Sequence, residues 1–144
     1  MNAFNDIDGI AASANNFILR DILKGEWGFD CVVVSDWNSI GEMINHRTAK
    51  NLYEAAEKAL IAGCDIDMEA SSYINHLDSL IKENPKLTKH IDEAVKRVLK
   101  LKFELGLFDN PYKYSNKEVE KANVGTKEHF ELAEKAALSS IVLL

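Results

Sequence analysis

Positive charge is in deficit in this sequence: 17 Lys and Arg stand against 23 Asp and Glu, a formal net charge of -6. Neutralising phosphates takes a cationic face, so a general nucleic-acid partner is not expected. Cysteine is nearly absent. The two present, Cys31 and Cys64, each open an apolar run, which predicts buried, reduced thiols and no disulfide framework. The longest wholly apolar run is far below the length that crosses a bilayer, so no membrane partner is expected. Spacings such as Cys-x-x-Cys and His-Glu-x-x-His are missing, as are repeats and low-complexity tracts, and neither a metal nor an organic cofactor is expected. The four histidines, His46, His76, His90 and His129, fall in polar contexts with no converging acids and read as surface residues. The first residues lack the basic stretch and apolar core of a signal peptide.

What is present is an ordinary globular composition, 47% hydrophobic and 28% charged over 144 residues, long enough to bury a core. Its most informative stretch is Cys31-Val32-Val33-Val34-Ser35-Asp36-Trp37. The run is short, valine-rich and apolar, which predicts a strand buried on both faces. It stops on a carboxylate. Functional groups of α/β sheets sit at the carboxyl ends of strands, so Asp36 is the first candidate for chemistry. The competing reading is that Asp36 only caps the following turn through an Asx-type hydrogen bond.

Around this stretch strand-like and helix-like periods alternate. Met1 to Phe4 reads as a strand and Asn5 to Ala14 as a loop; Asn15 caps a helix bearing Phe17, Ile18, Ile22 and Leu23, ended by Gly25 and Gly28. Asn51 with Glu54 forms a capping-box-like start for a helix over Leu52 to Ala62, closed by Gly63. Cys64 to Met68 is a third strand. Helices follow from Ser71 or Ser72 to about Lys82, from Thr88 to Leu105 after the break at Pro85, and from Thr126 to near Ser139. The segment from Lys113 to Gly125 reads as a solvated connector, and the chain closes on an apolar, strand-like Ile141 to Leu144. Strand, helix, strand, helix is the pattern of parallel βαβ units, an α/β class. Trp27, Phe103, Phe108 and Tyr112 are expected in the core. Asp65 and Asp67 read as structural acids and Glu69 as a strand-end residue without an assigned role.

Successive blocks carry a resemblance: Met1-Asn2-Ala3-Phe4-Asn5, Asp8-Gly9, Gly25-Glu26-Trp27-Gly28-Phe29, Val33-Val34-Ser35-Asp36-Trp37, Ala62-Gly63-Cys64-Asp65-Ile66-Asp67-Met68, Asp92-Glu93-Ala94-Val95-Lys96-Arg97-Val98-Leu99, Gly106-Leu107-Phe108-Asp109-Asn110-Pro111-Tyr112 and Ser140-Ile141-Val142-Leu143-Leu144. In this order they resemble family 3 glycoside hydrolases, the β-glucosidase-like enzymes. The match runs the whole length. It departs from the usual pattern at Cys31, where glycine is common, and at Ala11, where proline is common.

The resemblance implies a piece of a longer enzyme. Residues 1–112 resemble the last strands and helices of a (β/α)8 TIM-like barrel, and residues 113–144 a linker, a helix and the start of a following α/β sandwich domain. The remaining barrel strands and the C-terminal domain of the parent chain would lie outside it. The implied activity is retaining, exo-acting hydrolysis of terminal β-linked sugars, with β-linked oligosaccharides or aryl and alkyl glycosides as substrates. Asp36 is implied as the nucleophile; Trp37, Met1 and Phe4 are implied to contact the sugar. Phe4 stands where some members have Tyr. The general acid would come from outside this chain, leaving the isolated piece inactive. Two readings of other classes compete: a receiver-like signalling domain with a phospho-accepting Asp36, which lacks a suitable Lys at a later strand end, and a non-catalytic helical module built on the Thr88 to Leu105 stripe.

Overall fold

The computed structural model describes residues 1–143; Leu144, and with it the end of the expected last strand, lies outside the described residues. The chain divides into two units, Met1–Leu105 and Gly106–Leu144.

The first unit begins with a hairpin, β1 (Asp6–Ile7) and β2 (Ile10–Ala11), paired antiparallel. The Asn5 to Ala14 stretch is therefore not all loop. Its turn is Asp8-Gly9, with φ of 53° and 74°, the left-handed pair that a two-residue hairpin turn demands. A short 3-10 turn, Ala12–Ala14, leads to a helix over Phe17–Glu26 with the wide winding of a π-helix. Asn15 Oδ1 accepts from the Ile18 amide at 3.1 Å, the expected cap.

Helix α1 (Ser39–Glu42) is one turn. Helix α2 (Leu52–Ala62) starts as its sequence dictates: Asn51 Oδ1 accepts from the Glu54 amide, and Glu54 Oε2 reaches back to the Lys50 amide. Gly63, at φ 96°, closes it. Helix α3 (Ser72–Glu83) follows, then a 3-10 turn over Pro85–Leu87 and the long helix α4 (Thr88–Glu104). Ser71 does not cap α3. That work falls to Asp67, whose Oδ2 accepts from the Ser72 amide, the Ser72 hydroxyl and the Tyr73 amide. No helix among the described residues is long and apolar enough to cross a membrane.

Sheet structure is slight. Where strands were expected at 31–35 and 64–68, Val34 and Ile66 form one parallel bridge. Extended backbone bonds flank it: Asp65 N to Val33 O at 2.8 Å and Ser35 N to Ile66 O at 2.9 Å. On the other side of the same segment the Asn2 amide donates to Val34 O at 3.1 Å. Met1 to Phe4 is thus laid alongside but, against the expectation, is not itself a strand.

The core is built from small side chains. Ala55, Ala56, Ala59 and Ala62 line the buried face of α2: Ala55 and Ala59 pack with Ile40 and Met43, Ala56 with Leu60, Leu80 and Leu87, and Ala62 with Leu19 and Val33. An alanine face lets neighbours approach closely. Tyr73 packs against this core, but Trp27, Phe103, Phe108 and Tyr112 are exposed, against the expectation that they are core. Cys31 is exposed as well, whereas Cys64 is buried as predicted. Burial, with Asp65 and Asp67 beside it, pushes the Cys64 thiol up to about 12 and keeps it protonated.

The second unit carries α5 (Lys117–Asn123) and α6 (Lys127–Ser140). The expected connector is thus partly helical, because Asn116 Oδ1 caps the Glu118 and Val119 amides. Thr126 caps α6 through the His129 amide, as its position predicts.

Candidate active site at the Asp36 turn

Asp36 ends the segment that bridges to Ile66, half-buried, with its carboxylate at the mouth of a tight turn. Its Oδ1 accepts from the Trp37 amide at 2.7 Å, and its backbone oxygen accepts from the Ser39 amide at 3.1 Å. The Asx-type contact is therefore real, yet it engages one oxygen. Oδ2 makes no hydrogen bond among the described residues, so the group keeps a free acceptor edge. Trp37 projects at 59% exposure. Asn38 turns the chain at φ 55° and donates its amide to Met68 O at 2.9 Å. Ser35, fully buried, accepts from the Met68 amide through Oγ at 2.7 Å. Two bonds thus tie the Asp36 turn to the end of the neighbouring segment, where Glu69 and Ser71 also adopt positive φ. Non-glycine residues held left-handed cost free energy and cluster where geometry matters.

Of the other expected contacts, Met1 is 71% and Phe4 38% exposed. Both flank Asn2, whose amide bond to Val34 sets them beside the Asp36 segment. Among the described residues no group of three or more His, Cys, Asp or Glu is placed to hold a metal ion. The apolar cleft between α2, α3 and α4, about 180 Å³ and lined by Leu60, Tyr73, Leu77, Ile91 and Leu99, contains none of the candidate site residues.

Beneath the site lies an ionic cluster that sequence reading resolved only in part. Asp65 is buried and structural, as expected; its carboxylate accepts from the Val33 amide, from Lys24 Nζ, and from Arg97 Nε and Nη2. Burial lowers the Lys24 pKa although Asp65 opposes the shift. A step away, Arg20 bonds Glu93 at 3.0 Å and approaches His90 Nδ1 at 2.8 Å, and Arg20 Nε donates to Ile61 O. His90 is thus half-buried and paired rather than freely exposed, and His46 pairs with Asp6 at 3.0 Å. The spacing of these partners along the chain, not their residue type, hid them.

His90 carries a pH consequence. Burial and then the Arg20 charge lower its pKa below the ordinary 6.5, with Lys89 acting the same way and Glu93 against. The unfolded chain therefore binds a proton more readily than the folded one, and stability is complete above about pH 6.5. It declines as pH falls from there toward the folded pKa. His90→Gln flattens that decline in thermal melts between about pH 6.5 and 5, before the carboxylates titrate; an unchanged pH slope would refute the assignment.

A half-buried carboxylate followed by an exposed indole is open to more than one chemistry, and comparison with known proteins narrows the choice. The glycosyl hydrolase family 3 N-terminal domain matches residues 1–101, and the chain belongs to that family. A beta-xylosidase from Formosa agariphila is 40% identical over 153 residues, covering 100% of this chain and 21% of its own. The periplasmic beta-glucosidase of Salmonella typhimurium is 35% identical over 147 residues, 100% and 19%. A crystal structure of beta-glucosidase from Listeria innocua superposes with a TM-score of 0.84 at 43% identity, over 99% of this chain and 20% of that one. The chain spans about a fifth of the length of these relatives. Membership sets aside the receiver-like and helical-module readings: this is a fragment-length piece of a β-glycosidase family, with an α/β fold, rich in helix and poor in sheet.

Proposed function

We propose that this chain is the nucleophile-bearing part of a retaining, exo-acting β-glycosidase that removes terminal non-reducing β-linked sugars. The observation that carries the reading is Asp36, a half-buried carboxylate with one unengaged oxygen at a strand end, in a family 3 chain. Residues 1–112 would complete the end of a (β/α)8 barrel with strands supplied by the rest of the parent polypeptide. Residues 113–144 would lead into its next domain. The parallel Val34–Ile66 bridge supports the barrel reading. So does the exposed Trp27 ring, which would find cover in the parent.

In such an enzyme the Asp36 carboxylate attacks the anomeric carbon, and the bond to the leaving oxygen breaks as a carboxylic acid about 5 to 5.5 Å away protonates it. That acid comes from outside this chain. The resulting glycosyl ester is then displaced by water, deprotonated by the same outer group, which frees Asp36. Trp37 offers an indole face for stacking on the pyranose, and Met1 and Phe4 line the same sugar. The Listeria innocua enzyme was crystallised with glucose and a mutant of it with laminaribiose, which favours β-glucosides, while the xylosidase relatives keep β-xylosides as the second class.

The test is covalent trapping. The parent polypeptide is incubated with a 2-deoxy-2-fluoro-β-glycosyl fluoride and the labelled peptide is sequenced by mass spectrometry. A label on Asp36 is expected; a label on any other carboxylate overturns the assignment.

A further inference from the structure

Behind the Asp36 turn runs a buried polar chain. Asn2 Nδ2 donates to Ser13 Oγ at 3.0 Å, and Ser13 Oγ lies 2.9 Å from Ser39 Oγ. The three residues are 8%, 1% and 3% exposed. Ser39 is the residue whose amide holds the Asp36 backbone oxygen, and Asn2 sits between Met1 and Phe4. The chain therefore joins, through side chains, the segment bearing two candidate sugar contacts to the turn bearing the candidate nucleophile. It does so across 11 and then 26 residues of sequence.

Stability does not explain such a chain. Buried hydroxyls are costly unless paired, and two apolar groups of the same shape serve packing about as well. What the hydroxyl pair adds is direction: a hydrogen bond fixes distance and angle where apolar contact tolerates sliding. The backbone anchors of the turn, Asn38 to Met68 and Met68 to Ser35, all face the 64–68 segment. Toward the chain start the serine pair adds a side-chain link to the backbone bond from the Asn2 amide to Val34 O.

We infer that Ser39 and Ser13 are positioning residues, which set the Asp36 carboxylate against the sugar held beside Met1 and Phe4. The inference rests on Asp36 being the nucleophile. Neither hydroxyl meets the substrate. Their effect lies in the reach of the attacking oxygen, where a misplacement on the order of 1 Å costs up to about a hundredfold in rate.

The experiment uses the parent polypeptide. Ser39→Ala is expected to slow fluoro-sugar trapping and kcat about tenfold, with KM and inhibition by glucose little changed. Ser39→Thr, which keeps the hydroxyl, recovers most of the rate. Ser13→Ala reproduces the loss, and the double variant loses no more than either single one, as members of one chain should. Thermal melts run alongside, and should Ser39→Ala fail to fold, Ser13→Ala decides. Trapping at the wild-type rate without the hydroxyl overturns the inference, as does a loss that follows melting temperature equally in the alanine and threonine variants. If the wild-type label falls elsewhere than Asp36, the function reading fails first; if it falls on Asp36 and the serine variants trap normally, only the positioning role fails.

Discussion

Asp36→Asn in the parent polypeptide lowers kcat on an aryl β-glycoside by at least about a thousandfold. Asparagine is nearly isosteric with aspartate, and its amide oxygen can still accept the Trp37 amide bond that aspartate Oδ1 makes at 2.7 Å. The turn therefore survives the change, and Ser39 keeps its hold on the residue-36 backbone oxygen. What disappears is negative charge and nucleophilicity at the oxygen left unengaged. A neutral amide neither attacks the anomeric carbon nor steadies the positive charge that grows there. Steady-state kinetics with a chromogenic glycoside reads the result, and circular dichroism confirms the fold. Turnover near the wild-type rate would remove Asp36 from the reaction.

Asp65→Ala has the largest expected effect on stability, a loss of about 3–5 kcal/mol. Its side chain is 1% exposed, and its two cationic partners, Lys24 and Arg97, are 12% and 14% exposed. Removing the acid strands both cations in a poorly solvated place and leaves the Val33 amide without the acceptor it meets at 2.8 Å. Lys24, its pKa already lowered by burial, also loses the neighbour that opposed the shift. Urea unfolding of the two proteins measures the difference, and a loss below about 1 kcal/mol, the worth of an exposed pair, would show the cluster to be peripheral.

Local signals in this sequence translated well where one residue decides one bond. Asn51 with Glu54, Gly63 and Thr126 mark helix ends that the structure reproduces. The Asp8-Gly9 hairpin was missed although its turn dipeptide is diagnostic, because the flanking strands are two residues each and give no period to read. Helix α5 was missed because Val119 and Ala122 are its only apolar residues, too few over seven positions to show a period. Asp36 stood out as the abrupt end of an apolar run. The hydroxyl chain from Asn2 to Ser39 and the ion cluster at Asp65 gave no comparable sign: serine and aspartate are common, and what defines them here is proximity between residues far apart in sequence. The exposed rings failed for a different reason. Composition does not reveal which rings a given core takes in: Tyr73 packs against this one while Trp27 and Phe103 stay exposed.

The Asp65 cluster also bears on how this chain reaches its fold. Lys24, Asp65 and Arg97 are separated by 41 and 32 residues, so the cluster closes two long loops and cannot form until three helix-linked segments have met. Loops of that length carry a closure cost that the local caps of α2 and α3 do not. Once closed, the Asp65 cluster holds together three segments far apart in the sequence, in the manner of a latch.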